Sequence, residues 1–162
     1  MDYLWTPWRY RYMKEAARGE PQECIFCQVA ARKDDADTLI VSRGAKSFVI
    51  LNRYPYTSGH VMIVPYAHVA DLSGCDPDAL SEMMRFAQRV ESAYRSVYQP
   101  DGVNLGMNLG RAAGAGIAGH LHMHALPRWF GDANFMTVTA ETRVHPEELK
   151  TTYERLRKAL AQ

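Results

Sequence analysis

Three cysteines in 162 residues are too few for a closed disulfide framework, so a stapled secreted scaffold is excluded. Long apolar runs are missing too. None reaches the roughly 18 residues of a membrane span, and the first twenty residues are aromatic and charged where a signal peptide would be apolar. Charge of one sign is also scarce. With 19 Lys+Arg against 18 Asp+Glu the net charge is +1, which gives neither a basic field for a nucleic-acid polymer nor an acidic tail. Any anion must therefore be held locally. No fixed-period repeat and no low-complexity tract occurs. What remains is a chain that is 47% hydrophobic and of one domain's length. The expectation is a soluble cytoplasmic protein with no membrane and no nucleic-acid partner.

Residues 1–22 form an aromatic arm, with Trp5 and Trp8 set among Tyr3, Tyr10, Tyr12 and basic residues. Aromatic anchors of this kind suit a contact with the chain's own body, with a second subunit or with a ligand. The remainder, 23–162, reads as a single domain. From Thr38 onward LIVSRG, KSFVILN and GHVMIVPY have strand composition and end at Gly, Asn or Pro. Asp76-Pro77 opens a helix in which Leu80, Met83, Met84, Ala87, Val90, Tyr94 and Val97 recur at spacings of three and four until Pro100. VNLGMNLG, a Gly/Ala loop, HLHMHALP and FMTVTAETRV then predict two or three more strands, and Pro146 opens a last helix. The order implies an α+β fold. It has an antiparallel sheet of about five strands, one long central helix and a C-terminal helix.

Half of the six histidines stand in one short segment, as His120, His122 and His124. On a strand, alternate side chains share a face, so these imidazoles form a row opposite Leu121, Met123 and Ala125. Two chemistries suit such a row. It can ligate a catalytic zinc, or one imidazole can act as nucleophile while its neighbours fix its tautomer. Just upstream, the Gly/Ala stretch from Gly114 through Gly116 and Ile117 to Gly119 has few side chains, so its backbone N–H groups can turn toward an anion. A phosphate beside a nucleophilic histidine is the natural combination.

His120-Leu-His122-Met-His124-Ala-Leu resembles the H-x-H-x-H-x-x signature, with apolar x, of the histidine triad superfamily of nucleotide hydrolases and transferases. Asn52-Arg53-Tyr54-Pro55-Tyr56, Gly59-His60-Val-Met-Ile-Val-Pro65 and His68 resemble the family's first half. Leu4-Trp5-Thr6-Pro7-Trp8-Arg9, Cys24-Ile-Phe-Cys27 and the stretch from Pro127 to Met136 are similar to a bacterial branch of diadenosine tetraphosphate phosphorylases and adenylyltransferases. The resemblance implies that His122 attacks the α-phosphorus of an adenylated nucleotide and becomes a nucleotidyl-histidine. It implies that His124 lies against the phosphate and the departing oxygen, while His120 and His60 set the other rings. Asn52 would meet the ribose hydroxyls and Asn108 a phosphate, although Asn is also an ordinary residue for closing a strand. Phe48 and Ile50 form either an adenine slot or plain core. Family members commonly pair as homodimers, none of these roles needs an organic cofactor, and the same residues would equally serve a nucleotide-binding regulatory module without catalysis.

Cys24 and Cys27, at C-x-x-C spacing, are compatible with metal binding, a redox dithiol or an empty reduced pair. The resemblance to zinc-bearing histidine triad proteins, and to related galactose-1-phosphate uridylyltransferases, adds His68 and His120 to complete a structural zinc site. Such a site would also anchor the residue next to the nucleophile. Two departures stand out. The loop before the triad has only Gly, Ala and Ile where many relatives carry Gln and then Ser or Thr, and it is one residue longer between Asn108 and His120. Cys75 is left over as a small hydrophobe.

Overall fold

The computed structural model describes residues 23–132 and 147–161. The aromatic arm 1–22 and the FMTVTAETRV strand expected at 135–144 lie outside the described residues. In chain order the elements are α1 (Ile25–Ala31), α2 (Asp35–Thr38), β1 (Ile40–Arg43), β2 (Ser47–Leu51), β3 (Val61–Pro65), α3 (Pro77–Tyr98), β4 (Gly102–Met107), β5 (Met123–Arg128) and α4 (Leu149–Leu160). The five strands form one sheet in the order β1-β2-β3-β5-β4, antiparallel at every pairing. The expected sheet, central helix and C-terminal helix are all present. No helix among the described residues is long and apolar enough to cross a membrane.

The long helix forms where its pattern demands. Asp76 caps it by accepting from the Asp78 N–H at 3.0 Å, Pro77 occupies the first turn, and the chain leaves at Gln99 in the left-handed region. Its stripe of Ala79, Met83, Phe86, Ala87, Val90, Ala93 and Tyr94 is buried. From Met83 onward that stripe packs with Val49, Leu51, Val61, Ile63, Met123, Ala125 and the α4 residues Tyr153, Leu156 and Leu160. Both long helices therefore cover one face of the sheet. The opposite face carries a smaller cluster, in which Phe26 of α1 packs on Ile40, Phe48, Ile50 and Val64, with Met62 and Ile117 at its margin. Strand alternation divides β2 between the two clusters, sending Val49 and Leu51 one way and Phe48 and Ile50 the other.

Three local outcomes differ from the sequence reading. First, α1 and α2 precede β1 where no helix was expected, since short helices with a single buried residue each leave almost no periodic signal. Arg43 holds them, its guanidinium donating to the Ala30 and Arg32 carbonyls at 2.9 and 2.7 Å and to Asp35 Oδ1 at 2.9 Å. Second, the histidine segment joins the sheet only at Met123, so His120 and His122 stand before the ladder. The alternation survives in the extended approach: Leu121 packs with Cys75 and Ala79, while Met123 and Ala125 enter the main core. Third, the last helix begins at Leu149, with Glu148 as its N-terminal boundary, and not directly at Pro146.

Candidate active site and metal site

A line of rings crosses the sheet face that the long helices leave open. From one end to the other it runs His68, His120, Phe26, His122, His124, His60 and Tyr56, with successive centroids 5.1, 5.3, 5.2, 5.0, 5.1 and 4.6 Å apart. The row of three imidazoles expected from sequence is thus part of a longer one. His60, eight residues after Asn52 and just before β3, joins it from the neighbouring strand.

Each imidazole's tautomer follows from the group that it faces. His120 Nε2 lies 2.9 Å from the Pro65 carbonyl, which only accepts, so Nε2 carries the proton and Nδ1 is bare. His122 is the reverse. Its Nδ1–H donates to the His120 carbonyl at 2.8 Å, leaving Nε2 with a free lone pair. His60 Nδ1 accepts the Tyr56 backbone N–H at 3.1 Å and an Asn52 Nδ2–H at 3.3 Å, so its proton is on Nε2. That Nε2–H donates to His124 Nδ1 at 2.9 Å, and the proton of a neutral His124 must then sit on Nε2. Burial favours the neutral form of two of these rings: it lowers His122, and it pushes His124, which also faces His122, down to about 4. Apart from the thiol-facing Nδ1 of His120, the bare imidazole nitrogen of the triad is Nε2 of His122, and beside it stands one N–H donor, on His124.

At the other end, four ligand atoms from Cys24, Cys27, His68 and His120 lie within 4.8 Å of one another. His120 Nδ1 is 3.2 Å from Cys24 Sγ and 3.7 Å from Cys27 Sγ, and His68 Nδ1 is 3.4 Å from Cys27 Sγ. A tetrahedral zinc with bonds of about 2.0–2.3 Å has ligand–ligand edges of roughly 3.3–3.8 Å, so the donor set and its spacing fit that ion. The bare Nδ1 of His120 points at the thiols because Pro65 holds the opposite nitrogen, an arrangement common behind metal-bound histidines. Burial, together with the adjacent Cys24, raises the Cys27 thiol, and a cation between the two sulfurs would relieve that pairing. His120 thus has both ring nitrogens engaged, and it orients His122 through its carbonyl, not its ring. The three histidines of the row do not converge on a shared point, and the only candidate metal group among the described residues is the Cys/His one.

The family model for the HIT domain matches residues 33–131. The chain belongs to the HIT family. It is 39% identical over 158 residues to a Mycobacterium tuberculosis protein named AP-4-A phosphorylase, covering 94% of this chain and 80% of that one. Among solved structures, a zinc-bound histidine triad family protein from Mycobacterium smegmatis is similar at TM-score 0.69 and 31% identity, over 86% of this chain and 94% of that chain. A histidine triad nucleotide-binding protein from Sulfolobus tokodaii is similar at TM-score 0.69 and 27% identity, over 85% and 92%. His68 and His120 fall inside the matched HIT segment, whereas Cys24 and Cys27 precede it.

The remaining expected residues of this HIT chain divide into three groups. Asn52 closes β2, and its side chain serves the chain itself: Oδ1 accepts the Tyr54 N–H at 3.0 Å and Nδ2 donates to His60. Phe48 and Ile50 are packed in the cluster beneath the ring row, with Ile117 against them. Asn108 is exposed and donates to the Gly114 carbonyl at 3.4 Å, while Gly114 is held at φ +90°. The Gly/Ala loop spends the N–H groups of Ala113, Gly114 and Ala115 on its own turn; those of Gly116, Ile117, Ala118 and Gly119 have no backbone acceptor among the described residues. Such a run can meet an anion. Sequence reasoning did not single out Phe26, whose ring separates His120 from His122, or Tyr56, whose ring lies tilted against His60. The Cys-x-Phe-Cys spacing was the only available sign of the first.

Proposed function

We propose that the protein is a nucleotidyl-transferring enzyme that cleaves adenosine nucleotides at the α-phosphate, with diadenosine polyphosphates as the leading substrates. The observation that carries this reading is the 2.8 Å bond from His122 Nδ1–H to the His120 carbonyl, which leaves Nε2 of His122 bare. A neutral imidazole attacks phosphorus without first losing a proton. In the first step the Nε2 lone pair forms an N–P bond at the α-phosphorus, and the P–O bond to the next phosphate breaks. The electron pair leaves with the departing nucleotide. The positive charge that develops on His122 is stabilised at Nδ1–H by the His120 carbonyl, and His124 Nε2–H donates to the phosphoryl or departing oxygen. In the second step phosphate or water attacks the phosphorus, the N–P bond breaks with its electron pair returning to Nε2, any proton on the attacking oxygen passes to solvent, and neutral His122 is restored.

A nucleoside polyphosphate is a stable anion, so it departs without a proton donor, which suits a loop with no Gln, Ser or Thr. Backbone N–H groups from Gly116 to Gly119, with Asn108 beside Gly114, would hold the phosphate chain. Asn52 would meet the ribose, and Ile117, backed by the buried Phe48 and Ile50, would floor the adenine. Cys24, Cys27, His68 and His120 would hold a structural zinc, whose contribution is to fix α1 and the His120 carbonyl. Pairing with a second copy would cover the edge strand β4, on which Leu105 is 46% exposed. The named Mycobacterium tuberculosis relative favours phosphate as the acceptor.

Product analysis with diadenosine tetraphosphate, with and without inorganic phosphate, tests the reading. ADP formed only with phosphate identifies phosphorolysis, and AMP plus ATP without it identifies hydrolysis. No turnover in either condition contradicts the proposal.

A further inference from the structure

We infer that Tyr94, on the helix-covered side of the sheet, is a positioning residue that sets the His60–His124 hydrogen bond on the other side. The side chain of Tyr94 is fully buried, and its hydroxyl reaches two backbone carbonyls, Gly59 at 2.7 Å and Ala125 at 2.9 Å. These carbonyls belong to the residue just before His60 and the residue just after His124. The β3–β5 ladder ends at the pair Val61–Ala125, so His60 lies one residue beyond the last paired position. Nothing in the ladder fixes the spacing there. The Tyr94 hydroxyl does, because one oxygen bridges the two backbones at the level where the imidazoles meet at 2.9 Å.

Gly59 is shaped for this contact. It sits at φ +83°, and a Cβ there would come within 3.0 Å of both Tyr98 and Pro127, so the chain can approach the helix only without a side chain. With Phe in place of Tyr94, two buried carbonyls lose a partner and the β3–β5 spacing beyond Val61–Ala125 loses its bridge, while the Asn52 N–H still holds the His60 carbonyl from the β2 side at 3.0 Å. A shift of a few tenths of an ångström is enough to weaken the His60–His124 bond, and with it the tautomer of both rings. The effect on rate rests on the catalytic reading given above, whereas the effect on the rings does not.

The test is Tyr94→Phe, with Tyr98→Phe as control. Tyr98 is on the same helix and bonds Glu147 at 2.7 Å, so its loss perturbs the helix without touching either bridged carbonyl. Nitrogen-15 spectra of the histidine side chains in the ligand-free, zinc-loaded protein should show His60 and His124 as single Nε2–H tautomers in the wild type and in Tyr98→Phe. Tyr94→Phe should give averaged shifts for those two rings and leave His120 unchanged. With diadenosine tetraphosphate, Tyr94→Phe should lower kcat about tenfold with KM within twofold. Unchanged ring tautomers in a folded Tyr94→Phe protein overturn the inference, whatever the turnover. If that variant does not fold, the wild type decides: a slowly exchanging Tyr94 hydroxyl proton, with a nuclear Overhauser effect to the Gly59 Hα, supports the bridge, and its absence overturns it.

Discussion

His120 and His122 are two residues apart on one extended segment, and they are prepared for opposite tasks. His120 is protonated at Nε2, turned by the Pro65 carbonyl so that Nδ1 faces two thiols. His122 is protonated at Nδ1, turned by the His120 carbonyl so that Nε2 is bare. Both rings are buried and both are held neutral by that burial, so neither exposure nor charge separates them. The difference lies in which nitrogen a backbone oxygen happens to face. Residue type therefore sets what an imidazole is able to do, and the carbonyl beside it sets which of those things it does.

The sharpest way to break this comparison is to remove one ring at a time. His122→Ala should abolish turnover of diadenosine tetraphosphate by at least about a thousandfold, since no neighbouring group replaces a covalent nucleophile, while the circular dichroism spectrum and zinc content stay at wild-type values. Cys24→Ser or Cys27→Ser should act on the other end of the row. The melting temperature should fall by roughly 10 °C, and activity should fall only as structure is lost, because the binding energy of a structural zinc is folding energy. Calorimetry alongside metal analysis checks this. A zinc-depleted protein with wild-type stability and no activity would instead mean that the ion takes part in the reaction.

Acidification sharpens the comparison from a different side. His124 has its folded value pushed down to about 4, whereas an unfolded histidine titrates near 6.5. Between those values the unfolded chain binds the extra proton and the folded one does not. Stability therefore falls as pH drops from about 6.5 toward 4, and this group adds no further loss below that. The contribution is at most about 3 kcal/mol. Denaturant titrations of wild type and His124→Asn across this window should give curves that converge at low pH. Parallel curves would show that His124 is no more perturbed in the fold than outside it. The smallest effect belongs to Asn52→Ala, which removes the bond to His60 Nδ1 but leaves the Tyr56 N–H in place. A loss in kcat of roughly tenfold or less is expected from steady-state kinetics.

Much of this architecture was legible because it is periodic. The α3 stripe, the alternation along β2 and the face shared by His120, His122 and His124 all follow from spacings of three and four or of two. What escaped was not periodic. The helix α1 buries only Phe26 and has no side-chain cap, so nothing local announces it, yet it carries Cys27, begins just after Cys24 and places a ring between His120 and His122. Tyr94 was legible only as one more apolar position on α3. Its hydroxyl acquires a task because β3 and β5 end beside it, and that is a property of the packed sheet. The start of β5 was overextended for a related reason: His120 and His122 have strand-like spacing, but their side chains and carbonyls bond to one another and to Pro65.

The most direct test of the opposite-tautomer account is to quench the protein rapidly in base after mixing it with diadenosine tetraphosphate, then locate any nucleotidyl group by mass spectrometry. The account predicts one adenylyl group, on the peptide that contains His120, His122 and His124, with fragmentation assigning it to His122 and with no trace of it in His122→Ala. An adenylyl group on His120 or His124, or one that persists in His122→Ala, would contradict it.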